Sequence, residues 1–136
     1  MKYVDANIFI SNLIGDNRLG EAAQLYLESV ASGREAAATS VHTMIEIYAF
    51  LKGKKLSEQK IAGILKDISL HGVMLLPFGP HIFEEALPMA NKGLKLGDAI
   101  HYVTMVKNDF HEIVSDDAHF DNLRNIKRVD LLKISL

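Results

Sequence analysis

Residues 1–10 read MKYVDANIFI and place one acid, Asp5, between two apolar segments. The segment before it, residues 2–4, predicts a short strand. The segment after it, residues 8–14, has apolar side chains at helical spacing and predicts a helix that stops at Gly15. An acid at the C-terminal end of a strand that leads straight into a helix indicates an α/β arrangement.

The same alternation of short strands and helices continues along the chain. Further strands are predicted at residues 35–39, 73–76, 112–115 and 129–134, and further helices at residues 19–30, 41–51, 58–70, 81–91 and 99–107. This order is typical of a doubly wound α/β domain. We therefore expect residues 1–136 to form a single domain, with a central, mostly parallel sheet of four to five strands and helices on both faces.

The composition excludes several classes of protein. Hydrophobic residues make up 49% of the 136 and charged residues 24%, which is unlike a disordered chain. The longest stretch without a formal charge, residues 68–83, is 16 residues long and contains prolines, so no membrane-spanning segment is predicted. The absence of cysteine excludes disulfides and thiolate zinc sites and favours the cytoplasm. With a net charge of −2, any contact with nucleic acid must be local or assisted by metal ions.

Acidic residues interrupt otherwise apolar sequence at four places, namely Asp5, Glu46, Asp98 and the doublet Asp116-Asp117. Buried carboxylates are costly unless they are paired, protonated or bound to a cation. Asp5 and the doublet follow predicted strands, at the edge where open parallel sheets bind ligands. If these acids converge, their oxygen atoms favour Mg²⁺ or Mn²⁺, and the chemistry expected is phosphoester hydrolysis by metal-activated water.

Each acid also has a simpler interpretation. Asp5 and Asp98 are each equally compatible with a helix N-cap, Glu46 with a half-exposed helix position, and Asp116-Asp117 with an ordinary turn. What favours a common site is that all four occur in an order whose topology can bring them to one edge of the sheet.

Two of the six histidines, His101 and His119, are expected near these acids. For His101, packing within its helix is the favoured interpretation over metal ligation. No H-E-x-x-H or comparable spacing occurs, which disfavours a zinc site.

In these residues the chain resembles the PIN-domain family, of the kind found as the toxin of VapBC toxin–antitoxin modules. The resemblance covers nearly the whole chain and rests on four motifs, which are Val4-Asp5-Ala6-Asn7, Thr39-Ser40 through Ile45-Glu46, Leu96-Gly97-Asp98-Ala99-Ile100-His101 and Ser115-Asp116-Asp117-Ala118-His119-Phe120. No single motif is specific, but four in this order and spacing carry the resemblance.

The resemblance implies a cytoplasmic endoribonuclease that depends on Mg²⁺ or Mn²⁺, is a homodimer, and has RNA as its substrate and a VapB-like antitoxin as its partner. The acids implied as catalytic metal ligands are Asp5, Glu46, Asp98 and Asp117, because the spacing favours Asp117 over Asp116. The residues implied to support them are Asn7, Ser115 and Asp116. Candidate contacts to RNA are Lys52, Lys54, Lys55, Arg124, Lys127 and Arg128, although ordinary surface charge is the favoured interpretation of each.

Two other functions compete with this one. A phosphatase of the haloacid-dehalogenase type also begins with a strand-end Asp, but it requires a second Asp where this chain has Asn7. A PIN-like domain that only binds RNA or serves in assembly is the non-enzymatic alternative, although all four acids are intact. The apolar helix positions Leu25, Ile47, Phe50, Ile61 and Leu65 are expected in the core or, if surplus, in a dimer face or an antitoxin groove.

Overall fold

The computed structural model describes residues 1–134. Its strands are β1 (Lys2–Val4), β2 (Ala37–Ser40), β3 (Val73–Leu76), β4 (Glu112–Val114) and β5 (Lys127–Val129). Its helices are α1 (Ala6–Ile14), α2 (Gly20–Ala31), α3 (Val41–Gly53), α4 (Glu58–Leu70), α5 (Pro80–Ala90) and α6 (Leu96–Lys107), with 3-10 turns at Ala118–Asn122 and Leu131–Lys133. Across these described residues, no helix has the length and apolar character needed to cross a bilayer.

The five strands form one sheet in the order β3-β2-β1-β4-β5, and every neighbouring pair is parallel. The order reverses between β1 and β4, which are hydrogen-bonded neighbours with Val4 opposite Val114. A crevice at the C-terminal ends of the strands at such a reversal is where open α/β sheets bind ligands. The residues that follow these two strands, Asp5 and Ser115, therefore lie side by side at that point.

Alternate residues of the strands point to opposite faces of the sheet, and both faces are covered. Val4 and Val114 pack against a cluster built from α1, α2, α3 and α4. Tyr3 and Ile113 pack on the other face with Met105 of α6. The predicted doubly wound α/β architecture with helices on both faces is confirmed.

Side-chain caps explain where several helices begin. Ser57 caps α4, because its Oγ accepts a hydrogen bond from the Lys60 N–H at 3.2 Å. Asp5 caps α1 through a hydrogen bond from the Ala6 N–H at 2.7 Å, so its capping interpretation is also correct. Asp98 does not cap a helix, because α6 begins at Leu96 and places Asp98 in its first turn.

The structure differs from the prediction at the last strand and shows how two other segments are exposed. The last strand ends at Val129 and does not reach residue 134, because the Asp130 carboxylate accepts a hydrogen bond from the Leu132 N–H at 3.0 Å and starts a 3-10 turn. The strand at residues 73–76 is not fully buried, because it is an edge strand whose Met74 and Leu75 side chains are exposed. Leu25 is 48% exposed, which contradicts its expected place in the core and leaves the surface alternative open.

Substitutions at two glycines in the α4–β3 region test the close packing of Gly72 against α2. Gly72 has φ of +87°, and a Cβ there would lie 2.8 Å from the Val30 carbonyl oxygen. We expect Gly72→Ala to lower the free energy of unfolding in urea by about 1–3 kcal/mol, since both the backbone conformation and the close approach to α2 oppose a side chain.

Gly63, inside α4, is the matched control, because a Cβ there would meet nothing within 4 Å. Gly63→Ala should raise the free energy of unfolding by up to about 1 kcal/mol through helix propensity alone. Equal effects of the two substitutions would contradict the packing of Gly72 against Val30.

Candidate functional site

The carboxylate of Asp5 is buried at the C-terminal end of β1 and is held by three donors. Its Oδ1 accepts the Ala6 N–H, and its Oδ2 accepts the Ser115 hydroxyl at 2.7 Å and the Asn7 side-chain amide at 3.2 Å. Burial raises the pKa of Asp5 above its ordinary value, although nearby His101 and the hydrogen bonds act in the opposite direction. The position of this carboxylate is therefore set by β1, β4 and the first turn of α1 together.

His101 of α6 is a buried ring that joins two of the predicted acids, and its side chain is only 1% exposed. Its Nε2 lies 2.5 Å from Glu46 Oε1 and 3.6 Å from Asp5 Oδ1. Burial opposes a charge on the ring, but Tyr3, Glu46 and Asp5 outweigh burial and raise the pKa of His101. Burial likewise acts to raise the pKa of Glu46, but the hydrogen bond to His101 reverses the effect and lowers it. A protonated ring thus compensates buried negative charge.

The other nitrogen of His101 is fixed by a chain of hydroxyl groups. The Tyr3 hydroxyl donates to Ser40 Oγ at 2.9 Å, so its oxygen is free to accept from His101 Nδ1 at 2.7 Å. Ser40 in turn caps α3, the helix that carries Glu46. This chain connects β1, α3 and α6 behind the acids and fixes the orientation of the ring.

A second group contains the other two predicted acids and His119. Asp117 caps a 3-10 turn, where its Oδ1 accepts the His119 N–H at 2.9 Å and lies 3.2 Å from His119 Nδ1. His119 Nδ1 is also 3.5 Å from Asp98 Oδ2. That oxygen is buried and makes no hydrogen bond to any part of residues 1–134. Burial and the charge of Asp117 raise the pKa of Asp98.

The four predicted acids therefore fall into two neighbouring groups. Among the described residues, three potential ligand atoms lie within 4.8 Å of one another at His42, Glu46 and His101, and again at Asp98, Asp117 and His119. The unpartnered oxygen of Asp98, close to a second carboxylate, fits a divalent cation, because a cation would offset both the burial and the repulsion. The two groups have the chemistry needed to hold a divalent metal ion.

The doublet Asp116-Asp117 is divided by the fold. The Asp116 carboxylate receives two hydrogen bonds from the Arg18 guanidinium, at 2.8 Å and 3.0 Å, whereas Asp117 lies in the group with Asp98. Ser115 Oγ accepts the Asp117 N–H at 3.0 Å and donates to Asp5, so it links the two acids. The pairing of Arg18 with Asp116 has no signal in the sequence, because 98 positions separate the two residues.

Two of the candidate RNA contacts are engaged within the chain. Lys52 forms an ion pair with Glu58 at 2.9 Å, and Arg128 binds the Asp121 carboxylate at 2.8 Å. Arg128 also donates to the Ser115 carbonyl oxygen at 3.1 Å, so it supports the turn that carries Asp117. These contacts agree with the structural interpretation of both residues.

Sequence reasoning missed the parts played by two residues. The sequence predicts Tyr3 only as part of a strand, whereas its hydroxyl holds His101. His42 was not expected near the acids, yet its Nε2 lies 3.7 Å from Glu46 Oε2. The spacing of four residues between His42 and Glu46 on a predicted helix was the signal that could have found this contact.

Comparison with known proteins assigns the family. The model of the PIN domain family matches residues 2–126. This chain belongs to the PIN domain family. The resemblance drawn from the four acidic motifs is thereby confirmed, and the haloacid-dehalogenase alternative has no support. A search of curated proteins gives no match to this PIN domain.

Solved structures similar to this PIN domain include a toxin and two toxin–antitoxin complexes. VapC20 of Mycobacterium tuberculosis, a toxin that cleaves the sarcin–ricin loop, has a TM-score of 0.71 and 17% identity over 89% of this chain and 93% of its own. A toxin–antitoxin complex from Klebsiella pneumoniae has a TM-score of 0.65 and 22% identity over 98% and 100%. VapBC2 from Rickettsia felis, bound to a DNA fragment from its promoter, has a TM-score of 0.66 and 18% identity over 95% and 98%. At these identities the shared property is the fold.

Removing one hydroxyl tests the chain behind the acids. Tyr3→Phe leaves His101 Nδ1 and Ser40 Oγ with one buried partner fewer, so we expect the free energy of unfolding to fall by about 1–3 kcal/mol. Urea denaturation in the presence of EDTA measures this change.

Tyr102→Phe is the control, because the Tyr102 hydroxyl makes one hydrogen bond, to the Arg124 carbonyl oxygen at 3.2 Å, in an exposed setting. We expect an effect within about 0.5 kcal/mol. If Tyr3→Phe is as mild as this control, the hydroxyl does not hold His101 in the way described.

Proposed function

We propose that this PIN domain is a metal-dependent endoribonuclease that hydrolyses RNA phosphodiester bonds and is the toxin component of a VapBC-type system. One observation carries the proposal, namely the buried Asp98 oxygen that has no hydrogen-bond partner among residues 1–134 and lies close to Asp117. A carboxylate left in this state is poorly stable by itself and well suited to a cation.

The residues proposed to hold the ion are Asp5, Glu46, Asp98 and Asp117. Four oxygen donors of this kind suit Mg²⁺ or Mn²⁺. When bound, the ion supplies a Lewis acid for the scissile phosphate and the attacking water. Asp117 is preferred to Asp116 as the fourth acid, because the Asp116 carboxylate is bound by Arg18.

The surrounding residues keep these carboxylates in place. Ser115 and Asn7 orient Asp5 through their hydrogen bonds to Oδ2, and the His119 N–H holds Asp117. His101 compensates the charge of Asp5 and Glu46 from inside the protein. Carboxylates fixed in this way need little reorganisation when charge develops on the phosphate.

The similarity to VapC20, a toxin that cleaves the sarcin–ricin loop, supports RNA as the proposed substrate class. Because the clustered acids repel a polyanion, the approach of RNA should depend on bound cations and on local basic residues. The proposal includes a homodimer, testable by sedimentation, and a cytoplasmic location, where the RNA substrates of such a toxin are found.

Replacing Asp98 tests the proposed activity. The unchanged protein should cleave total RNA in the presence of Mn²⁺ or Mg²⁺, and EDTA should abolish this cleavage. Asp98→Asn should reduce the cleavage rate at least about 100-fold. A hundredfold excess of ion over its Kd should also stabilise the unchanged protein by about 2.7 kcal/mol, and this gain should vanish in Asp98→Asn.

In EDTA the same substitution should stabilise the protein. The pKa of Asp98 is raised in the folded state, so the charged carboxylate disfavours folding at neutral pH, and a neutral amide removes that cost. The melting temperature of metal-free Asp98→Asn should therefore equal or exceed that of the unchanged protein.

Asp116→Asn is the matched control, since it alters the adjacent carboxylate that binds Arg18. It should keep most of the cleavage and the stabilisation by metal. If Asp98→Asn leaves the rate of RNA cleavage unchanged, the cluster of acids is not the active site. A folded protein that neither cuts RNA nor gains stability from Mn²⁺ would favour the non-catalytic PIN-like alternative.

The antitoxin partner is proposed to bind an apolar groove that lies apart from the acids. The groove has a volume of about 740 Å³ and is formed by α1, α2 and α4. Its apolar lining includes Phe9, Leu13, Leu27, Ile64 and Ile68. The Klebsiella and Rickettsia structures are complexes with antitoxins, and a groove between helices suits an apolar segment of such a partner.

Leu13 provides a test of this groove because it is 38% exposed and its replacement should be tolerated by the fold. In a growth assay, co-expression of the protein encoded beside this chain should relieve the toxicity of the unchanged toxin. It should not relieve the toxicity of Leu13→Glu, because binding would bury the introduced carboxylate. Val106→Glu, at an exposed apolar position of α6 outside the groove, is the control and should still be neutralised. Neutralisation of both variants would rule the groove out.

A further inference from the structure

One cluster of side chains is not explained by a site made of carboxylates alone. His42 and Glu46 are one turn apart on α3, and His101 comes from α6. His42 Nε2, one carboxylate oxygen of Glu46 and His101 Nε2 all lie within 4.8 Å of one another. The proposed ribonuclease uses His101 to compensate the charge of Asp5 and Glu46, but it gives no role to His42.

The His42 ring has an unused ligand atom that faces the cluster. Its Nε2 is buried, lies 3.7 Å from Glu46 Oε2, and forms no hydrogen bond within residues 1–134. Buried polar atoms are nearly always paired, so one without a partner calls for an explanation. A bound ion at this nitrogen would supply the missing partner.

The His101 ring is oriented in the way that metal-ligating histidines usually are. Its Nδ1 is held by the Tyr3 hydroxyl at 2.7 Å, which leaves Nε2 directed at Glu46. In metal sites the second ring nitrogen is typically held by such a hydrogen bond, which fixes the ring and its tautomer. The support therefore exists in the protein before any ion binds.

Gly97 leaves open the space beside these ligand atoms. A Cβ at residue 97 would lie 3.3 Å from Glu46 Oε2 and 3.8 Å from His42 Nε2. Gly97 has no positive φ that would require glycine, so its backbone conformation does not account for the missing side chain. A side chain at residue 97 would therefore crowd both potential ligand atoms.

The geometry points to a second metal site in this protein, a three-ligand site formed by His42 Nε2, the Glu46 carboxylate and His101 Nε2 that binds Zn²⁺ or a similar late first-row divalent ion. Two imidazoles and one carboxylate are a ligand set typical of such ions, whereas Mg²⁺ prefers oxygen ligands. Ligands about 2.1 Å from a tetrahedral ion are roughly 3.4 Å apart, so ligand atoms at the present limit of 4.8 Å would have to close by about 1.4 Å.

The fold explains why no short sequence motif predicts this site. The two histidines are 59 positions apart and come together only because α3 and α6 pack at the same edge of the sheet. On binding, the ion replaces the proton between His101 Nε2 and Glu46, and that proton leaves to solvent. The site does not depend on the proposed ribonuclease activity, although the two share Glu46.

Co²⁺ is a suitable probe because its visible absorption differs between four-coordinate sites and the aqueous ion. We expect the full-length, metal-free protein to show the four-coordinate bands on addition of Co²⁺ and to lose them when Zn²⁺ displaces it. His42→Gln should weaken Co²⁺ binding by about 100-fold or more, since removal of even a supporting residue costs 10–100-fold. Tyr3→Phe should weaken it by about tenfold.

His71→Gln is the matched control. His71 also stands four residues from an acid, with its Nδ1 3.4 Å from Asp67, but this pair is exposed and belongs to neither three-ligand cluster of the described residues. It should leave the Co²⁺ spectrum unchanged. Gly97→Ala provides a variant that keeps every ligand, and it should weaken binding by crowding the ion even if His42→Gln folds poorly.

The outcomes separate this inference from the proposed function. Four-coordinate Co²⁺ bands that survive Asp98→Asn and disappear in His42→Gln support the site, whether or not RNA is cleaved. The inference is overturned if no such bands form, if His42→Gln and Gly97→Ala leave them intact, or if Asp98→Asn removes them. Metal-dependent RNA cleavage alongside any of these three results would leave the ribonuclease proposal standing.

Discussion

The carboxylate of Asp5 is buried where the strand order reverses, and the surrounding structure is arranged to satisfy it. An unpaired charge at this depth would cost several kcal/mol. Its partners come from separate parts of the chain, with Ala6 opening α1, Ser115 following β4 and His101 lying inside α6. The need to stabilise one carboxylate therefore ties together the elements that meet at the sheet edge, and the other acids are placed as a result.

Negative charge at this edge is compensated in two different ways. Asp5 and Glu46 have a cation supplied by the protein, because His101 lies between them and is itself held by Tyr3. Asp98 lies 3.5 Å from the exposed His119 ring and near a second carboxylate, and its buried Oδ2 has no hydrogen bond within residues 1–134. One half of the edge is balanced in the isolated protein, whereas the other half has unsatisfied charge. This asymmetry is the physical basis for proposing that a divalent cation enters on the side of Asp98.

The sequence predicted the α/β fold, most helix boundaries and the family, because strand and helix periodicities and the four acidic motifs are local signals. It failed where long-range packing or a local cap decided the outcome. Residues 130–134 read as a continued strand, but the Asp130 carboxylate caps a turn and ends β5. The ring of His101 looked like ordinary helix packing, because its partners Tyr3 and Glu46 lie 98 and 55 positions away. Contacts between residues so far apart in the chain depend on the topology of the fold, and residue spacing within one helix does not predict them.

Glu46 is shared by the two proposed metal sites, the acidic site and the site formed with His42 and His101. Its Oε1 contacts the imidazole of His101, while its Oε2 faces His42 and the open space beside Gly97. Its side chain is about one third exposed, so ions can reach it from solvent. An ion held by the two histidines would use the carboxylate that the acidic site also needs. The two sites must therefore compete for Glu46 or share it, and in either case occupancy of one alters affinity at the other by the same factor in both directions.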